Sequence, residues 1–228
     1  MFKFKTPMFL TTLLASAVLS VGASATLLNN GSFEDPLGFD FSDTSNWNGF
    51  FGGPAGSFLE AFNDTGAPAS DGVQALELTI NGNDGTDGNP VTNATNSFAG
   101  HAQLVGGITP GVNYTLSWEA RNNGSGLTGN AEARIEWIDG GGAEISRALP
   151  SPATFEGALT DSYQSFSLSG VAPAGAVSAN VVFAVATFNQ DVFHDMSFLV
   201  DNAVLVPEPA TAALLGLGGL AMLRRRSA

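Results

Sequence analysis

The 228-residue chain has no cysteine and few basic residues. Without cysteine it can form no disulfide bond and can use no thiol nucleophile. It has eight Lys and Arg residues against 21 Asp and Glu, and its formal charge is −13. A chain this acidic repels nucleic acid and anionic lipid, so no nucleic-acid partner is expected.

Catalytic signatures are also scarce. The two histidines, His101 and His194, lie far apart in the chain. There is no Gly-x-Ser-x-Gly nucleophile elbow and no His-Glu-x-x-His zinc motif. A carboxylate pair for glycoside hydrolysis has no fixed spacing in sequence, so a small polysaccharide-active enzyme stays an alternative. The sequence predicts a protein that is not an enzyme.

The N-terminus has the features of a secretory signal peptide. Lys3 and Lys5 precede an apolar run over Met8–Gly22, and Ala23-Ser24-Ala25 is a small-residue cleavage site. We expect residues 1–25 to form a signal helix that is removed on export. Thr26 would then begin the mature chain.

The C-terminus, Val206–Ala228, has three parts in a fixed order. A Pro-Glu-Pro triplet is followed by an uncharged run and then by three arginines; these are Pro207, Glu208, Pro209, Ala210–Leu223, Arg224, Arg225 and Arg226. Proline fits neither a strand interior nor a helix interior, so the folded domain is expected to stop before the triplet. A helix of 14 residues is about 21 Å long, which makes a marginal membrane span with a cationic cytoplasmic stop.

This order resembles the PEP-CTERM sorting signal of Gram-negative bacteria. The resemblance implies that segment 207–228 anchors the protein transiently in the inner membrane, where an exosortase, a membrane-embedded cysteine peptidase, removes it. The mature protein would then reach the cell surface or the extracellular polysaccharide matrix. An ordinary, unprocessed tail anchor is the alternative, although such an anchor has no need of the triplet.

Residues 26–206 read as a single all-β domain. Short stretches alternate between apolar and polar residues and are separated by turn signals such as Asn123-Gly124. The predicted strands are Val73–Ile80, Tyr114–Arg121, Ala131–Asp139, Tyr163–Leu168, Val177–Phe188 and Ser197–Val206. We therefore predict an antiparallel β-sandwich. Without both terminal signals it has three basic and twenty acidic residues, a formal charge of −17.

The order of landmarks in this domain resembles carbohydrate-binding modules of families four, nine and twenty-two, in the galactose-binding-like jelly-roll superfamily. The landmarks are Asn30-Gly31-Ser32-Phe33-Glu34 at the start, Gly107-Ile108-Thr109-Pro110-Gly111 before a strand, and Val200-Asp201-Asn202 in the last strand. The resemblance implies a jelly roll and a non-catalytic domain that binds extracellular polysaccharide. A structural matrix protein without sugar specificity is the alternative.

The same resemblance implies a structural Ca²⁺ ion where the first and last segments meet. Its ligands would be Glu34 and Asp201, with Asp71 as a neighbour and Asn30 as a carbonyl donor. Ca²⁺ takes six to eight oxygen ligands, and such a set could supply several of them. The alternative is a hydrogen-bonded Asp201 and a solvated Glu34.

Sugar recognition requires exposed aromatic rings beside polar groups. Trp47 and Phe50 lie in a glycine-rich segment predicted to be an exposed loop. Glu119, Arg121 and Arg134 lie on the polar faces of predicted strands and could line a groove, with Glu132, Glu136, His101 and Gln103 nearby. Cross-strand ion pairing on a solvated sheet is the alternative for these charges. Trp118 and Trp137 lie on apolar faces and are assigned to the core.

Overall fold

The computed structural model describes residues 25–35, 46–52, 58–64, 69–81, 98–124, 129–186 and 195–208. They belong to one compact unit, Ser24–Glu208. The predicted signal helix, the predicted sorting helix, His194, Pro209 and the three terminal arginines lie outside the described residues. Within the described part of the chain, no helix has the length and apolarity needed to cross a membrane.

Ten antiparallel strands lie within the described residues and form two five-stranded sheets. The strands are β1 Asn48–Gly52, β2 Phe58–Asp64, β3 Ala75–Asn81, β4 Phe98–Gly106, β5 Asn113–Asn122, β6 Asn130–Asp139, β7 Glu144–Ala148, β8 Gln164–Val171, β9 Ala176–Ala186 and β10 Asp195–Pro207. Sheet A has the order β1-β4-β9-β6-β7, and sheet B has the order β2-β3-β10-β5-β8. The predicted antiparallel β-sandwich is confirmed.

The core lies between the sheets and follows the alternation seen in the sequence. In β5 the residues Tyr114, Leu116 and Trp118 are buried and their neighbours are half-exposed. β6 repeats this pattern as far as Trp137, after which Ile138 is also buried. Successive side chains of a strand point to opposite faces, so one face of each sheet forms the core. At the centre of sheet A the opposite face is buried as well, at Val182, Ala184 and Ala186 of β9.

The first described segment lies beside β10. The Leu27 N–H donates to the carbonyl of Leu205 at 2.8 Å, and the Ala203 N–H donates to the carbonyl of Gly31 at 2.7 Å. A Cβ atom on Gly31 would lie 2.0 Å from the Ala203 carbonyl oxygen, so this close approach requires glycine. The two ends of the domain are thereby held together.

Two expectations from the sequence are wrong. The segment predicted to be an exposed loop contains β1, which pairs with β4. The folded domain does not stop before the triplet, because β10 continues to Pro207, which pairs with Tyr114. Pro207 is tolerated there because the last hydrogen bond to β5 comes from the next residue, Glu208, whose N–H donates to the Asn113 carbonyl at 2.8 Å. Strands β2, β4 and β7 were not predicted.

Candidate functional site

The outer face of sheet A has a floor of small residues. The floor is one patch of four residues on two neighbouring strands. Gly100 and Ala102 of β4 pair with Ala184 and Val182 of β9. The flanking strands carry larger side chains at the same levels: Phe50 pairs with Gly100, while Arg134 pairs with Val182. We call this row of small residues between the larger side chains of β1 and β6 the sheet A groove; its floor residues Val182 and Ala184 are buried, at 1% and 2% exposed.

One wall of the sheet A groove is aromatic. The Phe50 ring lies over Gly100, since a Cβ atom there would lie 2.6 Å from Phe50 Cζ. Phe98 lies next to it, with the ring centroids 6.3 Å apart, and is 38% exposed. Gly100 has no room for a side chain, because its Cβ would also meet the Phe183 carbonyl oxygen at 2.4 Å. The missing side chain at Gly100 thus makes room for the Phe50 ring.

The opposite wall is charged and rigidly paired. Arg134 donates from Nε to Glu136 and from Nη1 to Glu132, each at 2.6 Å, and all three side chains are at most 17% exposed. Asn180 Nδ2 donates to Glu136 at 3.3 Å. Partial burial raises the pKa of Glu132, and the neighbouring arginines Arg134 and Arg147 partly offset this rise.

This arrangement is suited to an uncharged polyhydroxylated ligand. The aromatic wall offers ring faces to the C–H groups of a sugar, and the charged wall offers fixed donors and acceptors to its hydroxyls. Because Glu132, Arg134 and Glu136 already hold one another, their side-chain positions require little ordering on binding.

Trp47 is not part of any exposed platform, so that prediction is wrong. Its side chain is fully buried, and its ring packs 5.1 Å from Phe33 and 5.9 Å from Phe183. Its Nε1–H donates to the carbonyls of Asn29 and Asn30, both at 3.1 Å. A buried indole with its N–H satisfied is a core residue.

His101 and Gln103 also point into the core rather than toward a groove. Both alternate with the outward residues of β4, and both are buried. Gln103 exchanges two hydrogen bonds with the backbone of Asn29, at 2.7 and 2.8 Å. Its amide holds the N-terminal segment in place.

Glu119 and Arg121 lie on the outer face of sheet B, so the structure does not bring them together with Phe50 and Arg134. Arg121 lies over the Tyr163 ring, 5.9 Å from its centroid. Glu119 accepts from the Ser165 hydroxyl at 3.5 Å, across the β5–β8 pair. Their partners are neighbouring side chains of the same sheet, a tyrosine ring and a serine hydroxyl, and not the ion pairs that the alternative interpretation expected.

A pocket of about 550 Å³ lies between β8 and the β7–β8 connection. Its walls include Trp118, Phe155, Phe166 and Glu156. The Glu156 carboxylate is engaged by the Ala131 N–H and the Thr154 hydroxyl, at 3.1 and 2.9 Å. Trp118 is 1% exposed, so its ring offers no face to a sugar. For these reasons we place the candidate site in the sheet A groove.

Glu34 and Asp201 hold one loop through its backbone. The buried Asp201 accepts from the N–H groups of Ser70 and Asp71 at 2.8 Å each, and from its neighbour Asn202 at 2.7 Å. Glu34 Oε1 accepts from Val73 and Gln74 at 2.9 and 3.0 Å. Burial raises the pKa of Asp201, and the three backbone N–H groups partly offset this. We call this arrangement the amide clamp.

The donor set fits N–H groups better than it fits a cation. Three of the four carboxylate oxygens of Glu34 and Asp201 accept backbone hydrogen bonds. The Asn30 carbonyl accepts from Phe33 and from Trp47 Nε1. Among the described residues there is no group of three or more His, Cys, Asp or Glu side chains placed to hold a metal ion. The calcium site stays a prediction, and these backbone hydrogen bonds do not support it.

Removal of metal tests the amide clamp against the calcium prediction. A bound ion at a hundredfold excess over its Kd would stabilise the fold by about 2.7 kcal/mol, so EDTA would lower Tm by roughly 5–10 °C. From the hydrogen bonds described above, we expect Tm to change by less than about 1 °C. The measurement is a melting curve of residues 26–208 with EDTA, with added Ca²⁺ and with added Mg²⁺. A fall in Tm that Ca²⁺ alone reverses would contradict the metal-free clamp.

The first two residues of the Pro-Glu-Pro triplet are attached to sheet B. The Glu208 N–H donates to the Asn113 carbonyl at 2.8 Å, and the Thr115 hydroxyl donates to Glu208 Oε1 at 3.0 Å. Hydrogen bonds from the Asn113 side chain and from Thr115 lower the pKa of the Glu208 carboxyl. The triplet therefore begins on the folded domain, without a linker.

Residues 205–227 match a family profile described as the PEP-CTERM protein-sorting motif. The chain carries a PEP-CTERM sorting signal. This motif implies export and processing by an exosortase. No curated protein matches the whole sequence at a significant level.

Several solved structures resemble the fold of this chain. The enzymatically active domain of bacteriophage CBA120 tailspike protein 4 is 17% identical, with TM-score 0.52; the match covers 80% of this chain and 21% of that one. A promiscuous carbohydrate-binding module of the β-sandwich superfamily is 14% identical, with TM-score 0.50 and coverage of 81% and 63%. The Stig cyclase Fisc from Fischerella sp. TAU is 14% identical, with TM-score 0.51 and coverage of 82% and 99%.

These similarities establish the fold alone, because every identity is below 25%. The similar structures include both carbohydrate-binding modules and enzymes. The predicted resemblance to a carbohydrate-binding module is confirmed at the level of the β-sandwich. The chain spans about a fifth of the tailspike domain's length.

Proposed function

We propose that this PEP-CTERM protein is a non-catalytic polysaccharide-binding protein of the cell surface or extracellular matrix, and that the sheet A groove is its binding site. The observation that supports the proposal is that an aromatic wall and a charged wall lie on the same outer face of sheet A. Phe50 and Phe98 face the Glu132-Arg134-Glu136 set across a floor of small residues.

The charge of the domain narrows the class of polysaccharide. With three basic and twenty acidic residues, the mature domain repels uronate-rich or sulfated polymers. Arg134 lies between two carboxylates, so it does not offer a net positive site to an anion. A neutral glycan is therefore the proposed ligand.

A small polysaccharide-active enzyme and a matrix protein without sugar specificity are the competing functions. The similar tailspike domain is enzymatically active, and for this reason the enzyme stays a competing function. Release of new reducing ends from a neutral polysaccharide would favour the enzyme. Absence of retention on every glycan of a broad panel would favour the structural protein.

Two arginines on opposite faces provide a matched test of the site. Arg134→Ala should weaken retention in gels containing soluble neutral polysaccharides by at least about tenfold in Kd, because it removes a donor and frees both flanking carboxylates. Arg121→Ala, on the outer face of sheet B, should bind as the wild type does. Affinity electrophoresis of residues 26–208 measures both. Equal binding by Arg134→Ala and the wild type would contradict the groove.

A further inference from the structure

The sorting triplet begins within the pair of strands β10 and β5 of sheet B. Register joins Val206 to Thr115 and Pro207 to Tyr114, and Glu208 continues the pairing through its N–H bond to the Asn113 carbonyl. The Thr115 hydroxyl, which also contacts the Ser169 hydroxyl at 2.7 Å, bonds the Glu208 carboxylate. Backbone and side chain of Glu208 are thus both held by β5.

This attachment conflicts with binding of the triplet by a peptidase. Only Pro209 separates Glu208 from the uncharged run that begins at Ala210. An enzyme that recognises an extended segment uses the backbone N–H and C=O groups of that segment and pockets for its side chains. In this protein β5 already uses those groups at the start of the triplet, and a group paired with β5 is not available to a second partner.

We propose that the end of β10 must separate from β5 before the exosortase can bind the Pro-Glu-Pro triplet, and that Asn113 and Thr115 set how readily this happens. We call the Asn113–Thr115–Glu208 contacts the triplet latch. The proposal rests on the processing that the sorting motif implies. It adds a role in processing for two residues of the folded domain that lie far from the motif in sequence.

A disulfide across the latch tests whether separation is required. The chain has no cysteine, so the double variant Thr115→Cys and Val206→Cys can form one intramolecular bridge between register partners. In a host that contains the exosortase, oxidised full-length protein should remain uncleaved. The same protein kept reduced by a thiol should be cleaved at least as fast as the wild type. Pulse-chase labelling followed by intact mass measures both.

A second bridge controls for the effect of oxidation. Ser117→Cys with Ser167→Cys joins β5 to β8 and leaves β10 free. We expect this variant to be processed at the wild-type rate. Cleavage of the oxidised Thr115–Val206 variant at the wild-type rate would overturn the latch. If the wild type itself is never cleaved in the host, the proposal that an exosortase processes this protein is wrong. This outcome differs from failure of the latch alone, in which both the wild type and the oxidised variant are cleaved.

Weakening the latch should have the opposite effect. Thr115→Val keeps the shape of the side chain and removes its hydroxyl, so processing should be about two- to fivefold faster, as expected for the loss of one hydrogen bond. Ser169→Ala removes the other hydroxyl that contacts Thr115 and leaves Glu208 bonded, so its rate should not change. Faster hydrogen exchange at the Glu208 N–H in Thr115→Val would show the same loosening directly. An unchanged rate and unchanged exchange would overturn the role of Thr115.

Discussion

Asp201→Ala is expected to lower Tm by roughly 5–15 °C, the largest loss of stability predicted for a single polar residue of this domain. The substitution leaves the N–H groups of Ser70, Asp71 and Asn202 without their acceptor. Loss of buried acceptors of this kind costs about 2–4 kcal/mol in total, because the exposed loop can rehydrate some of the donors. Thermal unfolding followed by circular dichroism measures the change.

A neighbouring carboxylate serves as the control. Asp71→Ala removes an exposed side chain and keeps the backbone N–H that Asp201 accepts, so Tm should fall by no more than about 2 °C. Asp201→Asn should lie between the two, because its amide oxygen still accepts hydrogen bonds while its NH₂ group faces the Asn202 N–H. If Asp201→Ala melts like the wild type, the amide clamp contributes nothing to stability.

The strands that the sequence predicts are those whose alternation is visible without knowledge of the fold. β5 and β6 show apolar core positions at every second residue, and the structure places them within one residue of the prediction. β4 escapes the same reasoning, because His101 and Gln103 occupy its core face. Gln103 is tolerated there only through Asn29, a partner 74 residues away that no local pattern reveals.

The candidate site was only half predictable, because strand order decides which polar faces meet. Arg121 and Arg134 occupy equivalent outward positions in their strands, yet β5 belongs to sheet B and β6 to sheet A. Trp47 and Phe50 lie only three residues apart, yet Trp47 is a core residue and Phe50 a groove residue. The pairing of Phe50 with Gly100, which shows this difference, is not visible in the sequence. The alternation of Gly100 and Ala102 in β4 was the available sign of a shallow floor.

Phe50→Ala should abolish most of the glycan affinity. Its ring forms the aromatic wall beside Phe98, and Gly100 beneath it leaves no side chain to replace the lost surface. Binding sites usually depend on a few aromatic anchors, whose truncation costs at least tenfold and often a hundredfold in Kd. The fold should persist, because Phe50 lies on the outer face of the edge strand β1 and not in the core.

Phe51 is the matched control. It is the next residue of the same strand, it is 58% exposed, and successive side chains of a strand point to opposite faces. Truncation of Phe51 therefore removes the same number of atoms from the same strand without touching the sheet A groove.

The central claim is tested most directly by isothermal titration calorimetry of residues 26–208 as wild type, Phe50→Ala and Phe51→Ala. The ligand is a neutral polysaccharide that retards the wild type in affinity gels. We predict a loss of at least about tenfold in affinity for Phe50→Ala and wild-type affinity for Phe51→Ala, with closely similar melting curves for all three proteins. Equal affinities for Phe50→Ala and the wild type, or a loss confined to Phe51→Ala, would contradict a glycan site in the sheet A groove.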